Sequence, residues 1–311
     1  MGVFVFLPLV LPLTAWPMAR LAEHHLHPRI ATRVLAGLGA VLALCSSLCL
    51  CLLAIVGTAQ LPGNPLPDRW ADPEVRAAVP HDEVVGKAAI AALIAVAVAC
   101  STLVLRHRRV RRQAARALRG LPATQVAVLP DAVPYAYTLA AGRKRGRIIV
   151  STGMLDALDA RERRALFAHE RAHLAGRHHR YSVMTGLAAR ANPFLRPLRT
   201  SVAYTIERWA DEDAALRVND RRVTAHAVGK AALMSHASPR PGLVSFAATG
   251  PVPRRVAALL GPAPVMRTWP PTFTAVGLAV WVAATGAAVS AMSSANSAVT
   301  MIAILRAATP L

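Results

Sequence analysis

The stretch that decides how this chain folds is His169-Glu170-Arg171-Ala172-His173, which reads H-E-x-x-H. Residues four apart lie on one face of an α-helix, so His169 and His173 can direct their imidazole nitrogens at a single metal ion. Glu170 is close enough to reach a water molecule bound to that ion, and we predict that it acts as the base. The spacing is therefore what zinc-dependent hydrolysis of a peptide bond requires.

The helix that carries this motif has clear ends in the sequence. Asp159 followed by Glu162 predicts a capping box at its start, and Gly176 predicts its end. The alternative interpretation is a solvated polar helix face in an arginine-rich region. We favour the metal site because a chance H-E-x-x-H is uncommon at this content of His and Glu.

Composition indicates a membrane protein. The chain has 311 residues, of which 54% are hydrophobic, yet 36 Lys and Arg against 16 Asp and Glu give a net charge of +20. Its mean hydropathy of +0.39 is too high for an ordinary soluble domain. Nucleic-acid binding would also explain the charge, but aromatic residues are only 5% and no nucleic-acid module is recognisable, so no nucleic acid is expected as a partner. The four cysteines all lie in apolar runs, which argues against a disulfide framework.

Four apolar segments are long enough to cross a bilayer. They are residues 2–19, which three prolines should kink, and residues 34–59, 88–105 and 273–292. The loop 60–87 is proline-rich and mildly acidic, whereas seven arginines lie between residues 106 and 119. Because basic loops stay in the cytoplasm, we predict an external N-terminus and a cytosolic domain over residues 106–271.

The cytosolic segment is predicted to form one domain. Short strands are predicted at residues 126–129, 135–140 and 147–151, the last two joined as a hairpin. The segment 135–140 would bind an extended substrate by strand addition, and prolines at positions 137 and 139 should then impair cleavage. Residues 272–311 hold the last span and a tail, in which the apolar run 298–305 is too short to cross alone.

A second helix, predicted over residues 201–218, supplies carboxylates. Catalytic zinc takes three protein ligands, so the two histidines need a third. Glu207 and Asp211 lie four apart on one face, and we predict that Glu207 is that ligand. Asp211 would accept a hydrogen bond from the free N–H of a ligand histidine. A surface pair with Arg208 or Arg217 is the alternative, and it is less favoured beside the H-E-x-x-H motif.

Other polar residues near the motif have weaker signals. Tyr204, Arg208 and His226 are candidates for stabilising the oxyanion of the transition state, and the sequence does not choose among them. His178 and His179, just beyond the motif helix, are predicted to lie in a solvated basic turn and not to bind metal.

H-E-x-x-H followed by E-x-x-A-D resembles the pattern of the gluzincin membrane peptidases. These include the heat-shock membrane protease and CAAX-prenyl endopeptidase family and the BlaR/MecR-type antirepressor metallopeptidases. Residues 148–155, 135–142 and 253–260 are similar to further segments of the group, so the resemblance covers about residues 126–260. Three spans before the peptidase domain and one after it are most similar to the BlaR/MecR arrangement.

The resemblance implies an α-helical membrane protein with a cytosolic α+β zincin-like (gluzincin) metallopeptidase domain. It further implies one zinc ion, a protein or peptide substrate, and the inner membrane of a bacterium. A transcriptional repressor is one expected substrate, and membrane-protein quality control is the alternative role. Few residues follow Met292, where the antibiotic sensors of the group carry a penicillin-binding domain, so β-lactam sensing is not expected.

Three other classes of protein could explain parts of this sequence. An intramembrane protease is disfavoured because charged residues, among them Arg161, Arg164 and Arg171, surround the motif and place its helix in water. A transporter is disfavoured because the four spans contain no charged pair. A non-catalytic membrane scaffold or receptor with a structural or vestigial zinc site is the main alternative to an enzyme. The sequence leaves the oligomeric state open.

Overall fold

The computed structural model describes residues 6–63, 66, 67, 70, 79–117, 124–139, 146–236, 251–265 and 274–307. Its α-helices in chain order are α1 (Leu7–Val10), α2 (Ala15–His25), α3 (Pro28–Ala59), α4 (Asp82–Ala117), α5 (Thr152–Ala157), α6 (Ala160–Ala175), α7 (His178–Ala191), α8 (Arg196–Val218), α9 (Arg221–His236), α10 (Val252–Leu260) and α11 (Ala275–Ala307). Short 3-10 helices are formed by Leu11–Thr14 and Pro193–Leu195. The strands are β1 (Val126–Leu129), β2 (Ala136–Leu139) and β3 (Arg147–Ser151).

Among the described residues, three helices are long and apolar enough to cross a membrane. They are Pro28–Ala59, Asp82–Arg116 and Gly277–Ala307. Each extends beyond the segment predicted from hydropathy alone, because charged and small polar residues continue the helical turns past the apolar core. The predicted separate run at residues 298–305 is part of the same continuous helix α11.

The first predicted span, residues 2–19, is interrupted in its described part, in agreement with the kink expected from its prolines. A 3-10 segment, Leu11–Thr14, separates the short helix α1 from α2, so this stretch is not among the three candidate spans. The physical cause is proline, which has no N–H to donate to the preceding turn. The crossing of the membrane by residues 2–19 stays a prediction.

Hydrogen bonds attach this broken segment to the rest of the molecule. Pro12 cannot donate to the carbonyl of Pro8, and the hydroxyl of Ser46 in α3 donates to that carbonyl at 2.7 Å. The side-chain amide of Asn192, at the end of α7, donates to the Leu9 carbonyl at 3.1 Å and to Ser46 Oγ at 3.0 Å. The N-terminal segment, a candidate span and the helices that follow α6 thus share one buried polar contact.

The three strands form one sheet in the order β1-β3-β2, close to the predicted positions. β1 pairs with β3 in parallel and β2 pairs with β3 antiparallel, as the predicted hairpin requires; the connecting residues 140–145 lie outside the described part. The central strand is fully buried at Ile148, Ile149 and Val150. β2 lies at an edge, so strand addition there remains open, and its use by a substrate stays a prediction.

Helix α3, one of the candidate spans, packs along helix α8. Thr32 Oγ1 donates to Thr205 Oγ1 of α8 at 2.9 Å, and Arg29 pairs with Asp213 at 3.1 Å. Further along, Gly39 lies against the side chain of Leu198. The helix that carries the predicted acidic residues therefore packs along the basic end of a candidate span.

Candidate metal centre

Helix α6 begins and ends where its sequence predicts. Asp159 Oδ1 accepts hydrogen bonds from the backbone N–H groups of Arg161 and Glu162 at 2.7 and 2.8 Å. The Glu162 carboxylate accepts from the Asp159 N–H at 2.9 Å, which completes the capping box. Gly176 is the C-cap. This local chemistry fixes the register of the H-E-x-x-H motif on the helix.

The three predicted metal ligands meet between α6 and α8. His169, His173 and Glu207 each offer one ligand atom, and these atoms all lie within 4.8 Å of one another. The two histidine Nε2 atoms are 2.9 Å apart, and they lie 3.5 and 3.6 Å from the carboxylate oxygens of Glu207. Two imidazole nitrogens and one carboxylate oxygen form a donor set that suits zinc.

Glu170 lies beside these ligands and is 2% exposed. Burial raises the pKa of its carboxyl group to about 7, with a further contribution from the negative charge of Glu207. A carboxyl group with a pKa near neutrality can both accept and return a proton, which is what the predicted base must do.

Asp211 occupies the supporting position predicted for it. Its Oδ1 lies 3.1 Å from His169 Nδ1, which directs the opposite nitrogen of that ring at the ligand cluster. Burial lowers the pKa of His169, but hydrogen bonds to Asp211 and Glu207 outweigh burial and raise it to about 9.

Arg255 is a residue of the site that the sequence analysis did not identify. Its guanidinium is fully buried and donates to both carboxylate oxygens of Asp211, at 2.7 and 2.8 Å. It also lies 3.2 Å from Glu207, whose pKa falls to about 2 because the charges of His173 and Arg255 outweigh the effect of burial. The sequence contains one signal for Arg255: the residue four positions on, Leu259, is apolar and shares its helix face. The structure buries both residues on the inner face of α10.

The prediction that His178 lies in a solvated turn is wrong. The residue is 2% exposed, and its Nδ1 lies 2.9 Å from Nδ1 of His173. Its ring packs against Trp209 with 4.5 Å between centroids. Burial lowers the pKa of His178 to about 2, so its imidazole is neutral. The neighbouring His179 is partly exposed, but it lies in the first turn of helix α7 and not in the predicted turn.

The three candidates for oxyanion stabilisation lie in different surroundings. The ring of Tyr204 is buried, with the guanidinium of Arg254 4.2 Å from its centroid. Arg208 is also buried and is paired with Glu212 at 2.7 Å. His226 is exposed on α9. The assignment of this role to any one of them stays a prediction.

Comparison with known proteins supports a peptidase. Residues 105–195 match the family model of Peptidase family M48, a range that includes the H-E-x-x-H helix and ends before Glu207. The chain is 38% identical over 68 residues to Protease HtpX of Idiomarina loihiensis, an alignment that covers 22% of this chain and 23% of that protein. No solved structure matches the chain.

The family match, the relative and the geometry of the cluster all indicate a metallopeptidase. The family match, the HtpX-type relative and the three long apolar helices support a membrane metallopeptidase of the M48 type, and the His-His-Glu cluster could hold a metal ion. The finer BlaR/MecR resemblance stays a prediction, since neither match concerns that group.

Proposed function

We propose that this chain is a membrane-anchored, zinc-dependent endopeptidase. The observation that carries the proposal is the buried cluster of His169, His173 and Glu207, with Glu170 beside it on the same helix. Metal ligands without a neighbouring base would equally suit a structural site. The buried carboxylate of Glu170, directly beside a ligand on the same helix, supplies such a base and favours catalysis over a structural role.

In peptide hydrolysis, the residues of the site have three roles: binding the metal ion, transferring a proton and orienting a ligand. Zinc, when bound, would lower the pKa of a water molecule and polarise the scissile carbonyl. His169, His173 and Glu207 would hold the ion, as three protein ligands do in catalytic zinc sites. Glu170 takes a proton from the attacking water and gives it to the leaving amine. Asp211 keeps His169 oriented, and its own charge is balanced by Arg255.

We further propose that the site faces the cytoplasm of a bacterial cell. Helices α3 and α4 pack closely, with a Cβ added at Gly57 falling 2.3 Å from the backbone of Gly86. The described C-terminal part of α4 carries five arginines between residues 106 and 112, and α3 begins near Arg29 and Arg33. Both helices thus have their basic ends on the side of α8, as the positive-inside rule expects for a cytosolic domain.

The substrate is proposed to be a protein or peptide, with regulation by cleavage of a transcriptional repressor and membrane-protein quality control as the two roles to distinguish. The test compares new protein N-termini in cells that make the wild type and cells that make Glu170→Gln. Because Gln keeps the size of the side chain but cannot act as a base, we expect some cleavages with the wild type alone. A repressor among the cleaved proteins would favour regulation.

The variant must accumulate to the wild-type level for the comparison to hold. Identical sets of N-termini in resting and stressed cells would contradict the proposal and favour a scaffold or receptor. Zinc content of the purified wild type then separates a structural zinc site from a vestigial one.

A further inference from the structure

His178 lies on the side of the His173 ring that faces away from the ligand cluster. The Nε2 atom of His173 faces His169 Nε2 at 2.9 Å and Glu207 Oε1 at 3.6 Å, so this nitrogen belongs to the ligand cluster. The opposite nitrogen, Nδ1, faces Nδ1 of His178 at 2.9 Å. The two rings meet edge to face at 86°, a geometry in which one Nδ1–H can point at the lone pair of the other.

The local backbone is built around the ring of His178. Arg177, directly before it, has φ 51°, a left-handed conformation that reverses the chain direction between α6 and α7. A Cβ at Gly176 would come within 2.3 Å of His178 Nε2, so a larger residue there would displace the ring. Trp209 of α8 covers it from the other side. These contacts hold His178 in one place against His173.

Two proton arrangements fit the 2.9 Å contact, and only one is compatible with a metal ion. If His178 donates to His173 Nδ1, the neutral His173 carries its proton on Nε2, where the metal would bind. If His173 donates from Nδ1, its Nε2 lone pair is available, and His178 Nδ1 is the acceptor. A metal ion therefore requires the second arrangement.

We propose that His178 is a positioning residue that holds His173 in the tautomer able to bind zinc. It does for His173 what Asp211 does for His169, so each ligand histidine has its own partner on the far side of the ring. The proposal rests on the proposed metal site but not on peptide cleavage. Loss of such a partner typically weakens metal affinity about 10- to 100-fold.

The test separates the hydrogen bond from the packing of the ring. His178→Phe keeps a flat ring against Trp209 but has no acceptor at the Nδ1 position. His178→Asn loses the ring but places its side-chain oxygen where Nδ1 stood. We expect the Phe variant to bind zinc about 10- to 100-fold more weakly than the wild type. The Asn variant should recover most of the affinity, although it packs less well.

Zinc affinity is measured on the purified full-length protein in detergent by competition with a chromophoric chelator. His179→Phe, the same substitution at the next position, is the control and should bind zinc like the wild type. Should the Phe variant fail to fold, His178→Leu replaces it, because Leu resembles Asn in size and has no acceptor. Melting temperatures of all variants show whether each is folded.

Equal affinity in the Phe variant and the wild type would overturn the proposal, and so would an Asn variant as weak as the Phe or Leu variant. These comparisons decide the role of His178 even if the zinc-loaded wild type cleaves nothing, in which case the proposed function alone fails. A wild type that takes up no zinc overturns both.

Discussion

At the scale of single residues, the centre consists of buried charges that compensate one another. His169, Glu207, Asp211 and Arg255 are nearly inaccessible to water, and each lies within hydrogen-bonding or ion-pairing distance of another member of the set. Isolated charges in such a place would be strongly destabilising. Without a metal ion, the contact between His169 and the two carboxylates favours a protonated imidazole, whose pKa is raised to about 9. Zinc and that proton therefore compete for the same nitrogen.

This competition predicts that zinc affinity depends on pH. Below a pKa of about 9, metal-free His169 carries a proton that must leave when zinc binds. From pH 7 to pH 9 we therefore expect log K for zinc to rise by about one for each pH unit, with about one proton released. Chelator competition at several pH values measures the slope, and calorimetry in two buffers measures the proton.

Asp211→Asn provides the matched control for this prediction, because it removes a charge that keeps His169 protonated while preserving the shape of the side chain. Its proton release in the same pH range should be smaller. An affinity that does not change between pH 7 and pH 9 would show that His169 is neutral before zinc arrives.

The sequence predicts those parts of the site that depend on interactions between residues close together in the chain. His169, Glu170 and His173 share one helix, and Glu207 and Asp211 share another, so helical geometry fixes the placement within each group. The role of His178 depends instead on the left-handed backbone of Arg177, which nothing in the sequence pattern requires. Such a contact becomes visible only when the turn is known.

At the scale of elements, α10 is attached to the site through a buried ion pair. Arg255 reaches Asp211 on α8 from the inner face of α10, and the chain between α9 and α10, residues 237–250, lies outside the described part. The resemblance of residues 253–260 to a segment of the gluzincin group does not say which arginine points inward, because Arg254 and Arg255 are adjacent. The burial of one and the exposure of the other are decided by the docking of α10.

Replacing Arg255 with Leu should destabilise the metal-free protein strongly. Two buried carboxylates would lose their cation, and breaking a buried pair in this way costs about 3–5 kcal/mol. Thermal unfolding in detergent measures the effect, and zinc should restore part of the lost stability by supplying positive charge. Arg222→Leu on the exposed face of α9 is the control, for which we expect a change within about 0.5 kcal/mol. Equal melting temperatures for the two variants would contradict the assigned role.

The other elements show where local signals succeed and fail. The capping box and the three strands were predictable because their signals lie within a few residues. Helix α8 begins at Arg196, five residues before its predicted start, because Pro197 is tolerated in the first turn of a helix. Near the N-terminus, by contrast, the prolines spaced along the segment interrupt the α-helix, and Leu11–Thr14 forms a 3-10 helix.

At the scale of the whole molecule, the candidate spans and the site form a connected structure. Polar contacts join α3 to α8 at Thr32 and Arg29, and the corner after α7 is joined to α3 at Ser46. The helices of the candidate metal centre are therefore packed against a candidate span.

The proposed orientation predicts which surfaces a membrane-impermeant thiol reagent reaches. A cysteine replacing Leu61, just beyond α3, should react in intact cells, whereas one replacing Arg161 on α6 should react only after permeabilisation. Both positions are exposed, so accessibility within the fold does not differ between them. The parent protein, whose four native cysteines are retained, gives the background. The reverse pattern would place the peptidase domain outside the cytoplasm.

The central claim is that one zinc ion, held by His169, His173 and Glu207, supports peptide hydrolysis with Glu170 as the base. The most direct measurement compares zinc content and cleavage of an unfolded protein substrate for the purified wild type and Glu170→Gln. We predict about one zinc per chain in both proteins and cleavage by the wild type alone, since loss of a catalytic base costs at least about 100-fold. Equal cleavage by both proteins, or a cleaving wild type without zinc, would contradict the account.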